Sequence, residues 1–292
     1  MLPILETKAQ VRITLVTDSS FLYYCLTKLS NMEQSCLNCN KPTSDNFCSH
    51  CGQKTSIHRI TFSHFIFHDI IHGVWHFEKG ILFTLKEAIL RPGKAALDYI
   101  SGKRIRYYNV FYLTLLLIGL NIYLNHIQDE LSHYYFQTRL VPEADTAGQR
   151  FDSFLSAYSK LVIFSFIPLF AFNSFLLFKE RKLNFSEHFI ISGMMFLGVM
   201  IIQTVCTFIY FTDYLEYLDI LSKIANYATP ITILLFLIIN YYKTFTADYR
   251  SKFEISSRVF LFILFLLIEI AFIFTLLLGY FTNWEYKMSL VY

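Results

Sequence analysis

Charge is what this chain has least of. Only 16% of its 292 residues are charged, where a soluble domain carries roughly a quarter, and the deficit excludes an ordinary water-facing surface. Glycine is scarce as well, ten residues in all, which limits helix packing through glycine contacts. There is no phosphate-cradling glycine loop, no GxSxG, no HExxH and no internal sequence repeat. Those absences remove the P-loop, the hydrolase elbow, the zincin helix and solenoid arrays. Residues 1–31 hold no basic n-region followed by an apolar core and a small-residue cleavage site, so no signal peptide is read.

What fills the space is apolar. Hydrophobic residues make up 54% and aromatics 18%, and the mean hydropathy is +0.42. This composition points to an integral membrane protein. Residues 1–31 differ from the rest. They are expected to be a non-native or disordered extension, with translation starting at Met32; the alternative is a short β-prone segment around VRITLV.

Four of the six cysteines fall in one sixteen-residue window as Cys36-x-x-Cys39 and Cys48-x-x-Cys51. Two such knuckles supply four thiolates at the corners of a tetrahedron, which suits Zn2+. A segment this small has no apolar core, so the metal would supply its folding energy. Four thiolates close the site, so the zinc is read as structural. Accidental clustering of free thiols and a redox role are the alternatives. Thiolates place this segment, 32–56, in a reducing compartment, the cytoplasm.

Next comes TFSHFIFHDIIHGVWHF, in which His64, His68, His72 and His76 recur every four residues. On a helix they form one stripe, opposite Phe62, Ile66, Ile70 and Val74. The plainest reading is an interfacial amphipathic helix. The sharper ones are a second metal site, with Asp69 beside it, or a pH-sensing surface. Residues 80–90 read as another amphipathic helix with Leu82, Leu85, Ile89 and Leu90 on its apolar side. Pro92-Gly93 breaks it, and a short helix over 94–101 ends at Gly102.

A basic collar then meets the membrane: Arg91, Lys94, Lys103, Arg104 and Arg106, against Asp98. It suits anionic lipid headgroups and fixes which side the soluble part occupies. Residues 57–106 are thus expected to be amphipathic and basic juxtamembrane helices, and 107–292 the membrane domain. Five spans are expected at about 109–125, 161–178, 189–211, 224–242 and 259–281. Counted by cations relative to their length, the loops after the collar alternate low, high, low, high. This is the positive-inside pattern with the N-terminus cytoplasmic and the C-terminus outside, in agreement with the thiolates.

Glu269 lies near the middle of the last span, where an acid is costly and a functional site by default. Asn173, Gln203 and Asn240 are its candidate partners. Either it binds or couples a substrate, or it makes a hydrogen bond between helices. Before the third span, KLNFSEH offers Ser186 as a helix cap and Glu187-His188 as an acid–base pair or, more simply, a solvated helix start.

Cys36-x-x-Cys39, Cys48-x-x-Cys51-Gly52-Gln53 with Lys54, Gly80-Ile-Leu-Phe-Thr84-Leu85-Lys86, Arg91-Pro92-Gly93-Lys94, Tyr99-Ile-x-Gly102-Lys103-Arg104 with Tyr107, and Asn184-Phe185-Ser-Glu187-His188 together resemble domain-of-unknown-function family 3667, bacterial inner-membrane proteins with an N-terminal zinc ribbon. The resemblance runs from about Met32 to the end and is most specific from Thr84 to Tyr107. It implies a shared fold and a multi-pass bacterial inner-membrane location. It carries no activity.

The expected fold is therefore an all-α integral membrane protein with about five transmembrane helices, preceded by a small zinc ribbon and amphipathic juxtamembrane helices. The function read first is a membrane-anchored interaction or regulatory module, more a binding protein than an enzyme. Its partners would be anionic lipids, a cytoplasmic protein and, for a chain with so few spans, further copies of itself; no nucleic acid is expected. The alternatives are a transporter of a small solute, ion or lipid using Glu269, and a lipid enzyme using the His64–His76 stripe.

Overall fold

The computed structural model describes residues 34–56, 80–136, 147–215 and 217–282. The chain divides into two compact units, Met1–Ser56 and Ile57–Tyr292. The extension over 1–31 and the histidine stripe lie outside the described residues.

In the first unit, β1 (Gln34–Ser35) pairs antiparallel with β2 (Pro42–Thr43) in the register Gln34↔Thr43 and Ser35↔Pro42. Twelve residues further on, Phe47 bridges Lys54 in the same manner. The turns inside the two pairs are copies. Asn40 N–H donates to Cys36 O and Cys36 N–H to Lys41 O, both at 2.8 Å; Gly52 N–H donates to Cys48 O and Cys48 N–H to Gln53 O, both at 2.8 Å. The residue after each CxxC is left-handed, Asn40 at φ 57° and Gly52 at φ 75°, the two residue types that accept that conformation most readily. The ribbon is thus a structural duplication, invisible in the side chains apart from the cysteines.

The second unit is helical: α1 (Ile81–Leu90), α2 (Pro92–Ile100), α3 (Val110–Phe136), α4 (Ala147–Phe164), α5 (Phe166–Leu177), α6 (Phe185–Tyr210), α7 (Asp219–Phe245) and α8 (Lys252–Thr282). Among the described residues, four segments are long and apolar enough to cross a bilayer: Val110–Ser132, Phe185–Tyr214, Asp219–Asp248 and Lys252–Thr282. The segment expected at 161–178 is different. Its apolar helical stretch, Leu161–Leu177, is shorter and is divided at Ser165 between α4 and α5. Pro168 is the cause: it has no N–H to offer Phe164, and its ring crowds that carbonyl.

Contacts define two ends of the bundle. At one, here the collar end, the start of α6 meets α3 through Phe189 and Phe111. There the end of α5 meets α7 and α8, with Phe178 stacked on Phe245 at 4.4 Å and Arg258 Nη1 donating to Leu177 O at 2.6 Å. At the far end, Tyr214 Oη donates to Gln128 O at 2.6 Å, and Arg150 at the start of α4 reaches Phe281 O at the end of α8. In succession, α4 and α5 therefore carry the chain from the far end to the collar end. The basic loops around 179–184 and 246–251 lie at the collar end, joined by Arg181 to Asp248 at 3.1 Å.

The centre of the unit is α6. Residues 186–198, thirteen in succession, are all buried, so this stretch is enclosed on every side. The start of α6 corrects the sequence reading. The cap is Asn184, not Ser186: Asn184 Oδ1 accepts from Glu187 N–H, and Glu187 Oε2 accepts from Asn184 N–H, each at 2.8 Å, a reciprocal capping box. Ser186 is buried among the helices.

The apolar side read for α1 faces mostly outward, with Leu85 half-buried. Leu82, Ile89 and Leu90 are exposed, while Thr84, Glu87 and Ala88 are buried. Lipid is as apolar as leucine, so it competes for the leucines, and the bundle takes the small and hydrogen-bonding face. Thr84 Oγ1 accepts from Tyr108 N–H at 2.8 Å, which folds the collar back along α1. The short helix ends as expected, Gly102 taking φ 106°.

Candidate functional site

Cys36, Cys39, Cys48 and Cys51 place their sulfurs within 4.8 Å of one another. The Cys36–Cys51 and Cys39–Cys48 pairs stand at 3.6 Å. A tetrahedral thiolate site with bonds of about 2.3 Å has sulfur–sulfur edges of roughly 3.8 Å, so the four residues fit a single ion. His50 is exposed and outside the set. The local chemistry prepares thiolates. The amide of Asn38, followed by the backbone of Gln53, holds Cys51 down to about 6. The backbone N–H groups of Cys51 and His50 lower Cys48. At Cys39 the Lys41 backbone also lowers the thiol, but desolvation and the neighbouring sulfurs outweigh it and push it up to about 11. A cation in the middle would remove that last proton.

The collar is not a uniform positive band. Arg91 lies across Glu87 in a two-pronged ion pair, Nε to Oε2 at 2.7 Å and Nη2 to Oε1 at 2.8 Å, with the carboxylate itself buried. Lys103 pairs with Asp98 at 2.7 Å, and Arg104 sits over the Tyr99 ring. Burial, followed by Asp98 and Glu87, pushes the Tyr107 hydroxyl up to about 12.

Gly93 explains the Arg-Pro-Gly-Lys run. A Cβ there would stand 1.7 Å from Thr244 Oγ1, so only glycine lets the start of α2 lie on α7. Between the two helices is a small cleft of about 150 Å³, lined by Leu90, Arg91, Gly93, Lys94, Leu97, Asn240, Lys243 and Thr244. Sequence reasoning found Arg91 and Lys94 and singled out Asn240 for Glu269, but did not bring Asn240, Lys243 and Thr244 to this cleft, since they stand well over a hundred residues away in the chain.

Of the intramembrane polar groups, Asn173 and Glu269 meet: Asn173 Nδ2 donates to Glu269 Oε2 at 2.7 Å. Gln203 and Asn240 do not join them. Gln203 lines a larger apolar cavity of about 680 Å³ with Asn121, Asn125 and side chains of α3 to α8; Glu269 is not among the residues lining it. Asn121 is missing from the sequence reading and is the best connected of these groups, donating to Thr204 Oγ1 at 2.7 Å and accepting from Thr207 at 3.3 Å.

Glu187 and His188 form neither a solvated start nor an acid–base pair. Both are buried. Glu187 is used by the cap, and His188 shares a hydrogen bond with Ser174 at 2.8 Å and stacks against Phe245. Neighbours on a helix point about 100° apart, so the two serve different contacts.

The family model described as "Protein of unknown function (DUF3667)" matches residues 78–118, the part of the chain where the resemblance is most specific. No curated protein and no solved structure matches the chain.

Proposed function

We propose that the chain is a multi-pass membrane protein that presents a zinc-held ribbon to a cytoplasmic protein partner, with its basic end against the anionic inner leaflet of a bacterial cytoplasmic membrane. The observation that carries this reading is the four-cysteine cluster built on a compact unit of its own. Its four ligands leave no position for a substrate. On so small a ribbon, Leu37 and Phe47 are exposed, which offers apolar contacts to a partner.

Zinc is favoured over other ions by four thiolates at tetrahedral spacing. Five crossings are supported by the passage of α4 and α5 between the two ends of the bundle, and the cytoplasmic assignment of the collar end by its basic loops and the thiolates. The basic residues would hold that end on anionic headgroups.

A second reading, movement of a lipid or apolar solute, is favoured by the cavity lined by Asn121 and Gln203, not by Glu269. The enzyme reading rests on His64, His68, His72 and His76. It requires metal beyond one ion per chain.

The test is a native pull-down with the full chain, comparing wild type, Cys36→Ser/Cys39→Ser and Leu37→Ser/Phe47→Ser. The adaptor reading expects one protein to be lost from both variants while the metal content of the second stays at one per chain. A partner set unchanged in the cysteine variant would overturn it.

A further inference from the structure

The cleft between α2 and α7 joins three features that have different origins in the chain. First, its charge is unbalanced. Of its three cations, Arg91 is matched by Glu87. Lys94 and Lys243 make no hydrogen bond or ion pair among the described residues, and nearby Arg181 is held by Thr244 O and Asp248. Second, the start of α2 opens here. Ala95 is the first amide bonded back, to Arg91 O at 3.0 Å; those of Gly93 and Lys94 belong to the unsatisfied first turn, where anions are favoured. Third, Asn240 is 8% exposed and lines the cleft. Its Nδ2 is bonded to Phe236 O, which leaves its Oδ1 with acceptor capacity. Thr244 gives its proton to Asn240 O and keeps only acceptor capacity.

We infer that this cleft binds a phosphate group that carries a neighbouring hydroxyl, drawn from an anionic glycerophospholipid of the adjacent leaflet. Lys94, Lys243 and the first turn of α2 take the phosphate oxygens. Asn240 and Thr244 accept from the hydroxyl. Leu90 and Leu97 line the cleft and Leu90 is an exposed apolar side chain, which favours a lipid over a free phosphate. The inference deepens the collar reading and rests on it for the source of the phosphate, not for the pocket.

The experiment uses the full-length metal-bound protein, with phosphatidylglycerol, phosphatidylcholine and inorganic phosphate as probes. Binding is read by native mass spectrometry and by the shift in melting temperature. Lys94→Gln/Lys243→Gln is compared with Lys103→Gln/Arg106→Gln, two collar cations outside the cleft. Both lysines of the first pair are exposed, and its melt without ligand should equal wild type.

The expected result is at least a tenfold loss of phosphatidylglycerol affinity in the first pair and less than threefold in the second, with phosphatidylcholine and inorganic phosphate weaker on wild type. Equal losses in both pairs would overturn the pocket and leave a diffuse collar. Inorganic phosphate binding as tightly as the lipid, and lost in the first pair, would overturn the lipid source. No loss in the first pair would overturn the inference, whatever the other arms give; no preference for phosphatidylglycerol in any form would overturn the collar reading by itself.

Discussion

Among residues 35–56, only Cys36, Cys48 and Gln53 are buried, whereas residues 186–198 of α6 are buried without a break. The ribbon has short backbone pairings and turns that aim four sulfurs at one point, and little buried side-chain surface to hold them. The bundle has shape: glycines where helices touch, a reciprocal cap, stacked rings and hydrogen bonds between helices. One region should therefore depend on an ion and be indifferent to small changes of side-chain volume. The other should be indifferent to the ion and sensitive to single methyl groups.

The largest expected effect comes from metal removal. Binding free energies of structural zinc sites are on the order of 10–16 kcal/mol at neutral pH, and in the ribbon that energy is folding energy. A strong chelator should make Cys36, Cys39, Cys48 and Cys51 alkylate rapidly, as read by mass spectrometry, while the melting of the bundle stays in place. A bundle that melts with metal loss would break the contrast. Acid should act in the same direction as the chelator, because protons compete with the ion for the four sulfurs. For Cys51 the sign is that of a depressed thiol: its contribution is present above the ordinary thiol range and is lost as pH falls through about 6, lower still with metal competing for the sulfur.

Next in size is Gly93→Val. Its added atoms would overlap Thr244, and overpacking of this kind costs typically about 1–3 kcal/mol. The melting temperature of the bundle should fall, and Thr244→Ala should restore part of it. Additivity of the two changes would show that α2 and α7 do not touch as described. Gly198 offers an independent check, since a Cβ there would stand 2.4 Å from Phe236 and 2.5 Å from the Ala88 carbonyl.

Smaller effects belong to the hydrogen bonds. Asn121→Leu removes the link from α3 to Thr204 and Thr207 and should lower stability by about 1 kcal/mol, the ordinary scale for such bonds in membranes. Glu269→Gln retains an acceptor for Asn173, so the change should stay within about 0.6 kcal/mol. A thermal shift near zero with a lost transport flux would move the functional centre from the ribbon to the bundle.

The α1 helix shows why some of this was legible in the sequence and some was not. Its existence, its length and its end at the Arg-Pro-Gly run follow from local residues. Which face it buries does not. In water the periodic leucines would mark the core, but next to lipid they are as well placed outside as inside. The face was decided by Thr84, Glu87 and Ala88 finding partners. His188 is a similar case. Its neighbours along the chain suggested an exposed start, while Ser174 and Phe245 enclosed it from two other helices.

By itself the sequence determined the four-cysteine centre, the apolar lengths of four helices, the end of α2 at Gly102 and the grouping of cations into alternate loops. These depend on spacing and on the chemistry of residues close in the chain. Only the tertiary structure decided that α6 is central, that Asn173 meets Glu269 and that Lys94 shares a cleft with Lys243. Those facts depend on how surfaces far apart in the chain fit, and in a bilayer hydrophobicity gives no guide to that fit.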